Sequence, residues 1–207
     1  MNEMIKVMLV DDHAVLRMGL AALLGTRKEI AVAGEADDGE EALRKYPKLR
    51  PDVVIMDLMM PGMDGTETTR RLLEKHPEAK IMILTTFGTA DALGHALEAG
   101  ALGAILKTAK LPELVKCIVS VAAGKRWVAP DVGQILTENP PVDKLSPRQQ
   151  QILESVARGL SNEDIATQLG ISIPVVKEHI KNLFAKIGAA NRAEAVAIAM
   201  KKHLIKI

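Results

Sequence analysis

The sequence predicts two domains of different fold class: an α/β domain built on a five-stranded parallel sheet, and an all-α domain that contains a helix-turn-helix. Two observations support this prediction. Short apolar runs alternate with helical patterns over about the first 124 residues, and every pattern after Ser146 is helical. Because strands that alternate with helices form parallel sheets covered on both faces, the first domain is predicted to be doubly wound. A length of 207 residues also suits two domains.

Each predicted strand of the first domain is a short apolar run, and each predicted helix is an apolar repeat bounded by glycine or proline. The strands are Ile5–Val10, Ile30–Glu35, Val53–Met56, Lys80–Thr85 and Ala104–Leu106. The helices are His13–Leu24, Gly39–Tyr46, Thr66–Lys75, Ala90–Ala99 and Leu111–Ala123. Pro47 is predicted to end the second helix, because proline lacks the N–H that a helix interior uses.

The composition changes after Gly124. Pro and Gly recur from there to Lys144, and the stretch TENPPVDK is typical of a linker. The predicted boundaries are a first domain of residues 1–124, a linker of residues 125–144 and a second domain of residues 145–207. The stretch VGQIL, at Val132–Leu136, can add a helical turn within that linker.

Caps and glycine stops mark the helices of the second domain. Ser146 starts one helix, which Gly159 ends, and Ser161 or Asn162 caps the next. Gly170 then makes a turn into a third helix. That helix, at about residues 173–186, carries an inward apolar stripe of Val176, Ile180, Leu183 and Ile187. Two short helices joined by a glycine turn indicate a helix-turn-helix.

The two domains differ in charge, although the formal net charge is only +1. Residues 145–207 hold nine Lys and Arg against five Asp and Glu, whereas residues 1–144 hold eighteen against twenty-one. A basic second domain and an acidic first domain predict different partners.

The sequence also predicts a compartment. Cys117 is the only cysteine, so an intrachain disulfide is excluded, which fits a reducing environment. No apolar run approaches the ~18–20 residues that a membrane helix needs. Asp11 and Asp12 come too early for a signal peptide. We therefore expect a soluble, cytoplasmic protein that does not contact the membrane.

Polar groups follow the predicted strands at one edge of the sheet. Asp11 and Asp12 follow the first strand, Asp57 follows the third, Thr85 ends the fourth and Lys107 follows the fifth. Parallel α/β sheets bind their ligands outside the carboxyl ends of the strands. Three close carboxylates repel one another and a divalent cation relieves that repulsion, with Mg²⁺ the best match for oxygen-only ligands.

These side chains together predict phosphoryl chemistry. Mg²⁺ neutralises a phosphoryl group, and a carboxylate can accept that group as a nucleophile. Asp57 is the predicted acceptor because its strand lies between the strands that carry the other groups, and Lys107 and Thr85 would bind phosphate oxygens. Pro61-Gly62 turns the chain away and leaves the site open. Each residue alone has an ordinary alternative as a turn former, helix cap or solvated side chain, but their joint occurrence favours the site.

Residues 4–123 resemble the receiver domain of two-component response regulators, which has a CheY-like fold. The matching motifs are LVDDH at Leu9–His13, MDLMMPGMDG at Met56–Gly65, LTT at Leu84–Thr86 and GALGAILK at Gly100–Lys107. The resemblance implies that a sensor histidine kinase phosphorylates Asp57. The other implied site residues are the Mg²⁺ ligands Asp11, Asp12, Asp57 and the Met59 backbone carbonyl, and the switch and phosphate-binding pair Thr85 and Lys107.

Three positions bear on how such a receiver works. Similar receivers often carry Tyr or Phe three residues before the lysine, where this chain has Ala104. A moving ring cannot transmit the signal there, so coupling is predicted to run through backbone and helix shifts. The residues two positions after the acceptor and after Thr85 flank the path of attacking water in this family, and here they are Met59 and Phe87. Both are bulky and apolar, which predicts a long-lived aspartyl-phosphate.

The third helix of the second domain has a polar outward face. Its outward residues are Lys177, Glu178, Lys181 and Asn182. In the major groove of DNA, lysine reaches guanine acceptors or a phosphate, and glutamate accepts from cytosine. On periodicity alone, a helical interaction bundle with a solvated charged face is an equal alternative, and a mobility-shift assay separates the two.

Leu145–Ala199 resembles the four-helix effector domain of the NarL/FixJ (LuxR-type) regulators. The matching stretches are GLSNEDIATQLGIS, VKEHIKNLFAKIG and NRAEAVAIA. The resemblance implies double-stranded DNA as the partner and a DNA-binding motif at about residues 162–181. Val175 stands where the family usually has a threonine that contacts the DNA backbone, and Gln149 stands where a glutamate is usual.

The sequence therefore predicts a transcription regulator and not an enzyme, in which phosphorylation of Asp57 produces a homodimer that binds DNA. One alternative is a phosphorylation-independent DNA-binding regulator whose receiver serves protein contact. Another is a phosphatase with an aspartyl-phosphate intermediate. That class needs an acid two residues after the nucleophile, where this chain has Met59.

Overall fold

The computed structural model describes residues 4–86, 90–138, 141, 145–202 and 204–205. The chain divides into two compact units, Met1–Pro141 and Val142–Ile207, each with its own apolar core. The predicted combination of an α/β fold and an all-α fold is confirmed. Within the described part of the chain, no helix has the length and apolarity needed to cross a membrane.

The first unit is a parallel sheet flanked by helices. Its strands are β1 (Ile5–Val10), β2 (Ile30–Ala36), β3 (Val53–Asp57), β4 (Ile81–Thr85), β5 (Gly103–Leu106) and β6 (Trp127–Val128). Its helices are α1 (Ala14–Gly25), α2 (Gly39–Leu49), α3 (Gly65–Lys75), α4 (Ala90–Glu98), α5 (Leu111–Ala122) and α6 (Pro130–Glu138). Among the described residues, six strands lie in the order β2-β1-β3-β4-β5-β6, and all neighbours pair in parallel. The predicted acceptor strand, β3, therefore lies inside the sheet.

The predicted number of five strands is wrong, and so is the predicted start of the linker after the last helix of the sheet domain. Residues 125–138, assigned from the sequence to the linker of residues 125–144, contain β6 and α6. β6 pairs with β5, and Ala129 and Val132 are buried in the core of the first unit. The segment folds because these apolar side chains are removed from water when they pack on that core. Its Pro and Gly content suggested a linker and did not show this packing. Residues 139–140 and 142–144 of the predicted linker lie outside the described residues.

Pro47 does not end α2 as predicted. The helix continues to Leu49, and the Arg50 N–H donates to the Tyr46 carbonyl at its C-terminal cap. In the last turn the proline removes a single donor, and the remaining bonds of that turn still form. Arg50 has a φ of 42°, the left-handed conformation in which many helices end.

Side-chain caps fix where α2 and α3 begin. Asp38 accepts from the Glu41 N–H, and Asp64 accepts from the Glu67 N–H. An aspartate cap satisfies a free N–H of the first turn and places negative charge at the positive end of the helix. α3 thereby starts directly after the loop that follows β3.

The second unit is a helical bundle. Its helices are α7 (Pro147–Ala157), α8 (Asn162–Leu169), α9 (Ile173–Ile187) and α10 (Arg192–Lys201). Ser146 and Ser161 each form a capping box, the first with Gln149 and the second with Asp164. Gly170, with a φ of 64°, ends α8 and allows the turn into α9. In the residues that the structure covers, the predicted four helices and helix-turn-helix are confirmed.

Candidate functional site

The sheet brings the predicted site residues of the first unit to one edge. Asp11 follows β1, Asp57 ends β3, Thr85 ends β4, and Lys107 follows β5. Since these four strands are neighbours in a parallel register, their carboxyl ends lie side by side. Residues that are far apart in the sequence therefore meet at one place.

Lys107 bridges two of the carboxylates. Its Nζ lies 2.8 Å from Asp11 Oδ2 and 2.8 Å from Asp57 Oδ2, and all three side chains are largely buried. One ammonium group thus faces two carboxylates, and Asp12 supplies a third carboxylate close by. When all three acids are ionised, this edge of the sheet has an excess of negative charge.

Burial and hydrogen bonding act against each other on the pKa values of Asp57 and Lys107. Burial raises the pKa of the Asp57 carboxyl, and the hydrogen bond and charge of Lys107 do not fully offset that effect. Burial also acts to lower the pKa of Lys107, but its hydrogen bonds to Asp11 and Asp57 outweigh burial, so that pKa is raised. Lys107 therefore stays cationic, and a further cation would stabilise the ionised carboxylates.

One carboxylate oxygen of the cluster has no hydrogen-bond partner among the described residues. This atom, Asp12 Oδ1, is buried. His13 Nδ1 lies 2.9 Å away but makes no hydrogen bond to it. Asp11, Asp12, His13 and Asp57 each offer a ligand atom within 4.8 Å of the others. Carboxylate oxygens grouped in this way fit a divalent cation such as Mg²⁺. His13 was not among the predicted site residues, and its place directly after two aspartates was the available signal.

Arg17 holds the loop that contains Asp11. Its Nη1 donates to the Asp11 carbonyl at 2.5 Å, and its Nε lies 2.8 Å from Glu35 Oε2. Its Nη2 lies 2.5 Å from Asp37 Oδ1. One buried guanidinium thereby ties the end of β1 to the end of β2. Sequence reasoning missed Arg17 because an arginine within a helical pattern usually lies on the surface.

The loop after β3 holds Asp57 through its backbone. The Met59 N–H donates to the Asp57 carboxylate, and the Gly65 N–H donates to the Leu58 carbonyl at 2.9 Å. A Cβ at Gly65 would lie 2.0 Å from the Asp57 carbonyl oxygen, so only glycine lets α3 begin this close to the acceptor strand. Gly62, with a φ of 73°, makes the predicted turn. The Met59 side chain is 51% exposed at the rim of the site.

Two further predicted positions lie on β4 and β5. Thr85 is buried, and its carbonyl accepts from the Lys107 N–H at 2.6 Å. Ala104 is fully buried and places only a methyl group where similar receivers have a ring. Phe87, predicted to flank the path of water, lies outside the described residues.

In the second unit, the predicted DNA-contacting residues are exposed on α9. They are Val175, Lys177, Glu178, Lys181 and Asn182. The opposite side of the helix is buried through Val176, Leu183 and Ile187, whereas Ile180, predicted to be buried, is only partly so. Across the described residues, none of the three charged members forms an ion pair, so their charges are available to a partner.

Two sequence families match the chain in the order of its two units. Residues 7–119 match the response regulator receiver domain, and residues 143–199 match the bacterial regulatory proteins of the luxR family. The transcriptional regulatory protein LiaR of Bacillus subtilis (strain 168) is 40% identical over 210 residues, which cover 98% of this chain and 100% of LiaR. The response regulator protein VraR of Staphylococcus aureus (strain NCTC 8325 / PS 47) is 34% identical over 207 residues, with coverage of 98% and 99%.

Solved structures extend the similarity to the fold. The response regulator ChrA of a heme-sensing two-component system is 37% identical with a TM-score of 0.61, covering 99% of this chain and 100% of ChrA. The response regulator RcsB in a DNA complex is 26% identical with a TM-score of 0.69, covering 96% of this chain and 99% of RcsB. The two families together match residues 7–119 and 143–199, and the full-length relatives match nearly the whole chain. The chain therefore belongs to the LuxR-type response regulators of two-component systems, which bind DNA to regulate transcription.

Proposed function

We propose that a sensor histidine kinase transfers a phosphoryl group to Asp57, and that this modification controls homodimerisation and sequence-specific DNA binding. One observation supports the proposal above all. The Asp57 carboxylate ends β3, 2.8 Å from Lys107 Nζ and among the carboxylates of Asp11 and Asp12. A nucleophile at this place has a cationic group and a candidate cation site within reach of the same phosphoryl group.

The transfer is a substitution at phosphorus. An oxygen of the Asp57 carboxylate attacks, and the bond from phosphorus to the kinase histidine breaks with its electron pair on the imidazole nitrogen. Lys107 binds one oxygen of the transferred group, and the Thr85 hydroxyl donates to another. The residues that would hold Mg²⁺ are Asp11, Asp12, Asp57 and the Met59 backbone carbonyl. Bound there, Mg²⁺ neutralises the charge of the transferred group.

The signal leaves the site through the backbone, because Ala104 offers no ring. The Lys107 N–H and the Thr85 carbonyl are joined by a hydrogen bond of 2.6 Å. Movement of Thr85 toward a phosphoryl oxygen therefore displaces the ends of β4 and β5 together. α4 and α5, which follow these strands, shift with them and change the surface available to a second receiver.

DNA reading is proposed for the exposed face of α9: Lys177, Glu178, Lys181 and Asn182, with Val175 beside the DNA backbone. The relative RcsB supports the proposals of DNA binding and of dimerisation, since it has been solved as two dimers bound to two parallel DNAs. It has also been solved bound to a promoter in the presence of the phosphomimetic BeF3⁻. Linking two such helices in a dimer raises the effective concentration of the second at its half-site.

Incubation with a small phosphodonor and Mg²⁺, with mass and oligomeric state measured on the same sample, tests the proposal. We expect a gain of about 80 Da for one phosphoryl group, formation of a dimer, and a larger gain in affinity for paired half-sites than for one half-site. Equal gains on both DNAs would remove dimerisation from the mechanism. DNA binding without any labelling would favour the phosphorylation-independent regulator.

A further inference from the structure

His13 lies against the carboxylates of the proposed cation site. Its Nδ1 is 2.9 Å from Asp12 Oδ1 and 3.4 Å from Asp11 Oδ1. It is the fourth member of the group whose ligand atoms all lie within 4.8 Å of one another. An imidazole nitrogen in that group turns a set of oxygen donors into a mixed set of oxygen and nitrogen donors.

Among the described residues, the His13 side chain contacts the aspartates of this group, and it neither caps a helix nor fills the core. His13 is the N-terminal cap of α1, but its side chain makes no capping hydrogen bond. The side chain is 67% exposed, so it adds little to the core. Its backbone N–H instead donates to Asp11 Oδ1 at 2.8 Å, which fixes the residue beside the aspartates. The ring is therefore positioned near the group and remains accessible to an ion.

The donor set determines which cations gain from His13. Mg²⁺ is bound by oxygen ligands and keeps several waters, whereas imidazole is a good ligand for first-row transition metals. Asp12 Oδ1, on the side that faces His13, is buried and has no hydrogen-bond partner among the described residues. A buried oxygen of this kind is costly unless a cation or donor binds it. An ion between Asp12 and His13 would satisfy this oxygen and use the nitrogen.

We propose that His13 is a nitrogen ligand of this site, which lets the receiver bind a first-row transition-metal dication that favours imidazole, such as Zn²⁺ or Cu²⁺, more tightly than Mg²⁺. The proposal rests on the proposed cation site at Asp11, Asp12 and Asp57, and it adds the choice of metal to that site. Mg²⁺ would use the oxygen ligands alone. The affinity for the two classes of ion therefore depends on His13 to different extents.

Calorimetric titration of the full chain, without a phosphodonor, measures this difference. His13→Ala should weaken Zn²⁺ binding by at least about tenfold, the usual effect of losing a group that supports a metal site, and should leave Mg²⁺ binding unchanged. His76→Ala is the matched control, because His76 lies beside Glu78 at 3.5 Å and outside this group. The control should bind both ions as the wild type does.

Pulsed electron paramagnetic resonance with Cu²⁺ as the probe tests the bond itself, because Cu²⁺ is paramagnetic and favours imidazole ligands. The wild type and His76→Ala should show coupling to a ¹⁴N nucleus, and His13→Ala should lose it. Retention of both the nitrogen coupling and the Zn²⁺ affinity in His13→Ala would overturn the proposal. An equal loss of Zn²⁺ and Mg²⁺ affinity would also overturn it, since His13 would then act only by holding the loop. These metal titrations contain no phosphodonor, so their outcome does not depend on whether Asp57 can be phosphorylated. The labelling experiment under the proposed function tests Asp57 separately.

Discussion

The two units arrange their candidate functional residues in opposite ways. In the first unit, Asp11, Asp57 and Lys107 come from three strand ends, and each side chain is at most 12% exposed. In the second unit, Lys177 and Glu178 are neighbours on one helix and are exposed. Buried side chains of a cluster contact one another, so one substitution disturbs the whole cluster. Exposed residues on a helix contribute separately to binding. We therefore expect all-or-none effects at the sheet edge and graded effects on α9.

The largest expected effect is the complete loss of labelling in Asp57→Asn. An amide cannot act as the carboxylate nucleophile, so the mass gain of about 80 Da should disappear. Mass spectrometry after incubation with phosphodonor and Mg²⁺ measures it. Asp64→Asn is the control, because Asp64 caps α3 and asparagine caps a helix equally well. Full labelling of Asp57→Asn would remove Asp57 as the acceptor.

On α9, Glu178→Ala and Lys181→Ala should have different, partial effects. An acid near phosphates is repelled unless it meets a cytosine amino group, so Glu178→Ala should change the sequence preference by about 1–3 kcal/mol. Lys181→Ala should weaken binding to all sequences and reduce its salt dependence, because it removes a phosphate contact. Titrations of both variants on matched and mismatched sites, at two salt concentrations, measure these changes. Complete loss of DNA binding in either variant would contradict the graded behaviour expected of this face.

Met59 gives a smaller, kinetic test at the rim of the first site. Its exposed, apolar side chain lies two residues after the acceptor and cannot orient a water molecule. Met59→Asn should therefore speed loss of the phosphoryl group by about tenfold, less than the ~10²–10⁴-fold of a positioned acid or base, because an amide can orient a water but cannot take its proton. Met59→Leu keeps the bulk without polarity and should lose the label at the wild-type rate. An unchanged or slower rate in Met59→Asn would contradict this steric explanation.

The smallest expected effect is local to α8. Ser161→Ala removes the cap that accepts from the Asp164 N–H and should lower the local free energy of unfolding by about 1 kcal/mol. Amide hydrogen exchange of α8 measures it. Hydrogen bonds from Ser161 also hold the pKa of the Asp164 carboxyl below its ordinary 3.8. The stabilisation of α8 by these hydrogen bonds is present above pH 3.8 and is lost as the pH falls through the lowered pKa. The protection of α8 amides from exchange should therefore fall more in acid in the wild type than in Ser161→Ala.

The sequence predicted the features that depend on local pattern. Strand ends and the polar residues that follow them could be predicted, because an apolar run that stops at Asp57 or Lys107 marks both the strand and its edge. His13 and Arg17 could not be assigned in this way, since their roles depend on contacts with Asp12 and with the β2 end. The segment with β6 was missed for the same reason, because two residues of strand gain their stability from β5 and not from their own pattern.

β6 also matters for anyone who expresses the receiver alone. A fragment that stops at residue 124 would leave β5 as an open edge strand and remove the cover that Ala129 and Val132 give to the core. Open edges and uncovered apolar surface recruit other chains. Such a fragment would associate whether or not it is phosphorylated, and its size in solution would be misread as activation. A fragment that runs to Glu138 keeps β6 paired with β5 and keeps the core covered, and a change in its size then reports the phosphoryl group.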